Sequence, residues 1–253
     1  MTDLLTACYR GLDPFIRLFG CAPGAWVVES EGALTSVVPG IPHAWLFNST
    51  MYDRARPETL DGALVAAKRE YEAADVRALG AWILDGDAAA QRVATAHGLT
   101  LDSVPRAMGA VLSELDLGSD VSAVSERWDM TAATRLNELA YAVPPGMFAP
   151  VSQTVQPPGA RCFIAESEGE AVASVVTLPN GDDCAIFWVA TDPVHQGLGF
   201  ARAAMVAALK AAVADGFRTT TLQSSKAGAP LYLRLGYSDL GRSVNLWKWV
   251  RND

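Results

Sequence analysis

Apolar residues at 201, 204, 205, 208, 209, 212 and 213 follow the spacing of a helix with one buried face, which predicts a helix over residues 201–214. Gly216 is placed to stop it. Upstream, two β-rich runs at 161–166 and 171–178 flank a Ser-Glu-Gly turn and predict a hairpin. Asn180-Gly181 is a second turn signal and leads into a strand at 184–191. A helix over 131–141 precedes the hairpin. A strand at 219–223, a short helix at 230–235 ended by Gly236, and a strand at 244–250 close the pattern. The first half runs a similar course. Residues 4–18 are helical, 26–30 and 33–38 form a hairpin, and 44–50 a strand. Then come a helix at 59–73, a strand at 79–84, a helix at 88–96 and a strand at 107–112.

The parallel between the halves extends to residues. Glu29-Ser30-Glu31-Gly32 recurs as Glu166-Ser167-Glu168-Gly169, 137 positions later, and Ser36-Val37-Val38 as Ser174-Val175-Val176, 138 later. Leu84 to Gly98 and Leu222 to Gly236 are matching 14-residue intervals, again 138 apart. Three matches in one order at a nearly constant offset predict a duplicated unit. The expected fold class is mixed α/β (α+β mixed sheet), with two units in tandem at 1–115 and 120–253, each a mostly antiparallel mixed sheet flanked by helices. The polar stretch Asp116–Asp120 is the linker candidate.

At 253 residues, half of them apolar, the chain can bury the cores that two such units need. No apolar run reaches the roughly 20 residues of a membrane span, and residues 1–10 lack a secretory pattern, so a cytoplasmic protein is expected. The four cysteines, Cys8, Cys21, Cys162 and Cys184, have no metal-type spacing, so no metal is expected and the thiols are read as structural. A net charge of −8 without a Lys/Arg cluster argues against nucleic acid, and fits either a cationic amine substrate or simple solubility.

Chemistry concentrates in Val189-Ala-Thr-Asp-Pro-Val-His-Gln-Gly-Leu-Gly-Phe-Ala201, a strand, a tight loop and a helix start. Gly197 and Gly199 let a ligand approach the backbone, and the loop amides with the helix terminus suit a pyrophosphate. A P-loop would need a Lys after these glycines, and a dinucleotide fingerprint a small residue where Arg202 stands. The Gln-x-x-Gly-x-Ala pattern at Gln196, Gly199 and Ala201 remains, beside the alternative of an ordinary glycine-rich turn. In this pattern the sequence resembles the GNAT superfamily of N-acetyltransferases. Leu231-Tyr232-Leu-Arg-Leu-Gly236-Tyr237, 36 residues after Gln196, resembles the family's Leu-Tyr-x-x-x-Gly-Phe/Tyr segment.

The resemblance implies two GNAT-like units, the first degenerate and the second catalytic, with acetyl-CoA as donor. It places the cofactor on Val189, Thr191, Gln196, Gly197, Leu198, Gly199, Phe200, Ala201, Ser225 and Tyr232. The Tyr232 hydroxyl would protonate the departing thiolate, and the Val189 amide would donate to the oxyanion. Ser225 stands where many members have Asn, and Gly228 where Ala is common. The strand at 187–191 would splay from its neighbour. The first half has no matching loop after residue 50, and Ala94 at the place of Tyr232.

The general base is left open among Glu138, Glu166, Asp182, Asp183 and His195. Glu166, repeated as Glu29, suggests a turn role, and the last three are expected at the surface. The Pro-rich stretch 143–151, with Met147 and Phe148 expected exposed, is either an acceptor loop or a packed cover. The acceptor expected is a small-molecule amine or a peptide N-terminus. Neither nucleic acid nor membrane is expected as partner, and a homodimer is allowed. The alternatives are a non-catalytic acyl-CoA-binding regulatory module and a purely structural protein.

Overall fold

A computed structural model describes residues 3–118 and 124–251. In the first half, α1 (Leu4–Arg10) and α2 (Leu12–Gly20) precede the hairpin of β1 (Trp26–Ser30) and β2 (Ala33–Val37). Next come β3 (Ser49–Tyr52), α3 (Thr59–Ala73), β4 (Ala78–Leu84), α4 (Ala88–Ala96), β5 (Thr100–Ser103) and β6 (Arg106–Val111). The second half opens with β7 (Val124–Glu126), α5 (Met130–Ala140) and the one-turn α6 (Ala149–Ser152). It continues through β8 (Arg161–Ser167), β9 (Glu170–Asn180), β10 (Asp183–Thr191), α7 (Phe200–Ala214), β11 (Thr219–Ser224), α8 (Ala229–Arg234) and β12 (Ser238–Val250). The fold is mixed α/β, a mixed sheet flanked by helices. β3 with β4 and β10 with β11 are parallel, as a helical crossover requires, and the other pairs are antiparallel.

Local departures from the sequence pattern have local causes. Gly11 divides the expected helix at 4–18 into α1 and α2. The expected strand at 44–50 begins only at Ser49. Before it, the chain turns around the buried Asn48, whose side chain accepts from Val38 N and donates to the Ile41 and Ala44 carbonyls. These bonds satisfy turn backbone that would otherwise be stranded in the core. β12 starts at Ser238 rather than 244, and β5 is an added short strand. In the linker candidate, Asp116 Oδ1 accepts from Gly118 N, and residues 119 and 120 lie outside the described residues.

The strands join in one sheet of order β1-β2-β3-β4-β12-β6-β11-β10-β9-β8-β7, with β5 paired to β12. Arg106 and Val244 stand at the repeat offset of 138, so β6 and the second part of β12 are equivalent strands. Each completes the other half's sheet. β6 pairs with β11 along Thr219–Ser224, and Val244–Val250 of β12 pairs with β4. Residues 1–115 and 120–253 are thus successive in the chain but interleaved in the sheet. One core, around Met108, Leu112, Ala204, Leu209 and Leu222, lies under α7. The other spans both halves, from Phe19, Phe47 and Leu79 to Ile164, Val176 and Trp188.

This exchange predicts that the fragment 120–253 does not fold alone. Without β6 it bares the β11 edge and the apolar residues that Met108, Ala110 and Leu112 cover. A thermal scan of the fragment should show no cooperative transition. A transition at the full chain's Tm would contradict the exchange.

Candidate active site

The site is an opening between two parallel strands. β10 and β11 pair only over Asp183–Ile186 and Thr219–Leu222, although β10 runs on to Thr191 and β11 to Ser224. On its other edge β10 steps from Phe187 opposite Val176 to Ala190 opposite Ser174, leaving Trp188 and Val189 without register partners. This is a β-bulge. Trp188 sits in the left-handed region at φ 54°, which for a residue of this bulk costs about 1–2 kcal/mol. The bulge turns Phe187 and Trp188 to the same face, against the core shared by both halves, and returns Val189 to the α7 side. The amide of Val189 therefore lies at the opening, paired in register with neither neighbour, as a donor to a ligand must be.

Beyond Thr191, Asp192 accepts from Val194 N and caps a single 3-10 turn at Pro193–His195. Gln196, Gly197, Leu198 and Gly199 follow, all exposed, with Phe200 and Ala201 starting α7. Gly197 and Gly199 have φ of 78° and 91°, and a Cβ added at either would meet open space. Gly199 is the N-cap of α7 and offers no side chain to the first-turn amides. Those amides have no intrahelical partner and sit at the positive end of the helix dipole, a place that attracts phosphate oxygens.

Tyr232 stands on α8, in the core that also holds Ile186 and Leu222. It is buried, at 6% exposure, with its ring 5.9 Å from that of Tyr237. A Cβ on Gly228 would fall 3.1 Å from the Tyr232 ring, 3.4 Å from Ser225 Oγ and 3.5 Å from Ser224 Oγ, so these groups converge just past the end of β11. Gly228 leaves the room that the aromatic ring fills. Burial raises the Tyr232 hydroxyl above the usual phenol range, so it carries its proton at neutral pH.

Three of the four carboxylates considered as bases are otherwise engaged. Glu138 is buried and accepts from Gly146 N at 2.9 Å and Phe148 N at 2.6 Å, pinning the loop after α5. Glu166 pairs with Arg127, and its counterpart Glu29 with Arg17. Asp183 is buried, contrary to its expected exposure beside the Asn-Gly turn. It accepts from Thr219 and Thr221, and burial raises its pKa. Asp182 is exposed on the turn. His195 is half-buried rather than at the surface, with Nδ1 3.9 Å from Asp192 and its ring against Phe200. In the 143–151 stretch Met147 is exposed as expected, but Phe148 is buried against Phe47 and Trp188. Sequence reasoning missed Trp188 and this aromatic packing. Two large aromatics in succession, Phe187-Trp188, were the available signal of a bulge in an alternating strand.

The corresponding segment of the first half carries no Gln-x-x-Gly-x-Ala loop. The backbone after β3 is held by Asp53, which accepts from Ala55 N and pairs with Arg56. α3 is tied to the end of α4, with Asp61 2.7 Å from His97 Nε2 and Lys68 donating to the His97 carbonyl at 2.8 Å. Ala94, the counterpart of Tyr232, is fully buried.

Residues 127–237 match the model of the acetyltransferase (GNAT) family. No curated protein matches the chain in sequence. Among solved structures, it is similar to a GCN5-related N-acetyltransferase from Kribbella flavida, at 17% identity and TM-score 0.66 over 96% of each chain. It is also similar to a GCN5-related N-acetyltransferase from Sphaerobacter thermophilus, at 15% identity and TM-score 0.59 over 98% of this chain and 94% of that one. A tandem GNAT protein from the clavulanic acid biosynthesis pathway shares 13% identity and TM-score 0.57 over 96% of each chain. The last two-unit relative shares the fold along both halves. The sequence match and the shared fold meet on the segment that carries the open strand pair: residues 127–237 match the acetyltransferase (GNAT) family model, and the whole chain shares the fold of GCN5-related N-acetyltransferase structures.

Proposed function

We propose that the second half is an acetyl-CoA-dependent N-acetyltransferase and that the first half is a degenerate unit without a cofactor site. The observation that carries this reading is the register-free Val189 amide at the β10–β11 opening, one short loop away from the uncapped start of α7. The residues fit the group. Gln196, Gly197, Leu198, Gly199, Phe200 and Ala201 would hold the pyrophosphate by backbone amides. Val189, Thr191, Ser225 and Tyr232 would line the arm that ends in the thioester. Acetyl-CoA supplies an acetyl group activated as a thioester.

The chain's residues then do three things. Val189 N–H donates to the carbonyl oxygen as it gains negative charge during attack by the amine. The Tyr232 O–H gives its proton to the sulfur as the C–S bond breaks. The amine nitrogen loses its proton as the C–N bond forms, and ordered water carries that proton, because the carboxylates considered as bases are bonded elsewhere or on an exposed turn. Transfer is direct. Cys162 and Cys184 are buried strand residues, and burial pushes the Cys162 thiol up to about 11, so neither supplies a thiolate nucleophile at neutral pH.

The acceptor we propose is a small-molecule amine or a peptide N-terminus. The engagement of Glu138, Glu166 and Asp183 in other bonds favours a second reading, a non-catalytic acyl-CoA-binding module. Incubating the protein with acetyl-CoA and a panel of amines, with thiol release as readout, separates the two. The enzyme reading predicts amine-dependent release. Binding of acetyl-CoA without release on any amine would favour the regulatory module.

A further inference from the structure

We propose that the first half of the chain positions the transfer strand: Phe19 and Phe47 clamp Trp188 in its left-handed conformation and so aim the Val189 amide. This rests on the acetyl-transfer reading of the site. Trp188 is the hinge of the bulge, immediately before Val189, and a tryptophan does not hold φ 54° without support. The support comes from across the shared core. The Phe47 ring stacks on Trp188 at 6.0 Å with the planes 20° apart, and Phe19 meets it edge-on at 6.2 Å. Phe148, from the loop pinned by Glu138, closes a third side at 6.3 Å. The buried Trp188 Nε1 finds no hydrogen-bond partner among the described residues, so rings rather than polar bonds hold the side chain. The backbone is fixed separately, by Ser174 Oγ donating to the Trp188 carbonyl at 3.0 Å.

Phe15 extends the same contact by stacking on Phe187 at 4.4 Å. Two consecutive β10 side chains thus insert into aromatic residues of the first half, and the bulge is what lets both face that way. Phe47 stands in the turn formed around Asn48, so a segment with no cofactor role sets the geometry of the cofactor strand. A half that has lost its own site keeps a function as the clamp of the other. Phe19, Phe47 and Trp188 are positioning residues in this account, since none is assigned a contact with substrate.

The test compares affinities for acetyl-CoA and for free CoA, measured by calorimetry on the full chain. Only acetyl-CoA offers the carbonyl that Val189 N–H would bind. The wild-type protein should prefer acetyl-CoA by about two- to tenfold, the size of one net hydrogen bond. Phe47→Ala should bring that preference close to unity and leave CoA affinity nearly unchanged, because the phosphate loop is untouched. Phe47→Leu, which keeps apolar volume, serves if the alanine variant does not fold, and should lose part of the preference. A loss of stability alone would weaken both ligands together or neither. A folded Phe47 variant with the wild-type preference overturns the clamp while sparing the acetyl-transfer reading. Binding of neither ligand by the wild-type protein defeats that reading and the clamp with it.

Discussion

Gly199→Glu should raise the Kd for acetyl-CoA by at least about a hundredfold. Two costs combine. Gly199 sits at φ 91°, where a side chain brings about 1–2 kcal/mol of backbone strain. The new carboxylate would also face the pyrophosphate at the head of α7, and two like charges about 4 Å apart near a protein surface repel by about 4 kcal/mol. Each 1.4 kcal/mol is about tenfold in affinity, so the charge alone exceeds the hundredfold mark. Sterics within the protein add nothing, because a Cβ at this position meets no atom within 4 Å. Gly199→Ala isolates the strain, which the loop carries with or without ligand, and should change the Kd by less than about tenfold. Calorimetric titration reads both. Wild-type affinity in the glutamate variant would place the pyrophosphate away from this loop.

Tyr232→Phe should lower the rate of acetyl transfer by about 10²–10⁴-fold, the usual worth of a general acid, with acetyl-CoA affinity nearly unchanged. The side chain is suited to that split. Its ring is packed between Tyr237 and Gly228, a position phenylalanine can keep, and burial holds its proton in place at neutral pH. A rapid-quench rate is needed, since slow product release would mask a change in the chemical step. An unaltered chemical rate would make Tyr232 a packing residue. Weaker binding at an unaltered rate would make it a cofactor contact. The first half does not offer a matching gain of function. Ala94 is fully buried there, so a tyrosine would disrupt α4 rather than reach a ligand.

Much of the architecture was legible because it is written in local periodicity and turn chemistry. α7, the β8–β9 hairpin and the Asn180-Gly181 turn follow from patterns spanning a few residues. The glycine loop was legible for the same reason: strand, turn and helix start are contiguous. What escaped was non-local. The repeat offset of 138 relates Arg106 to Val244, yet only the pairing of β6 with β11 and of β12 with β4 shows that these strands have changed places. Asp183 looks solvated from its turn neighbours, and is buried because Thr219 and Thr221 on the parallel strand take its oxygens. Phe148 looks exposed in a proline-rich stretch, and is drawn inward by Phe47 and Trp188, one of them about a hundred residues earlier in the chain. A strand bulge breaks the alternation that sequence reasoning relies on, so the β10 residue on which the site turns was the hardest to foresee.

In the proposed function, one half of the chain keeps a working acetyl-CoA site and the other has none. The stoichiometry of acetyl-CoA binding to the full-length protein tests it most directly. One molecule should bind per chain, lost in Gly199→Glu and retained when Asp53 and Arg56, which hold the matching segment of the first half, are both replaced by alanine. Two molecules per chain, or none, would contradict it.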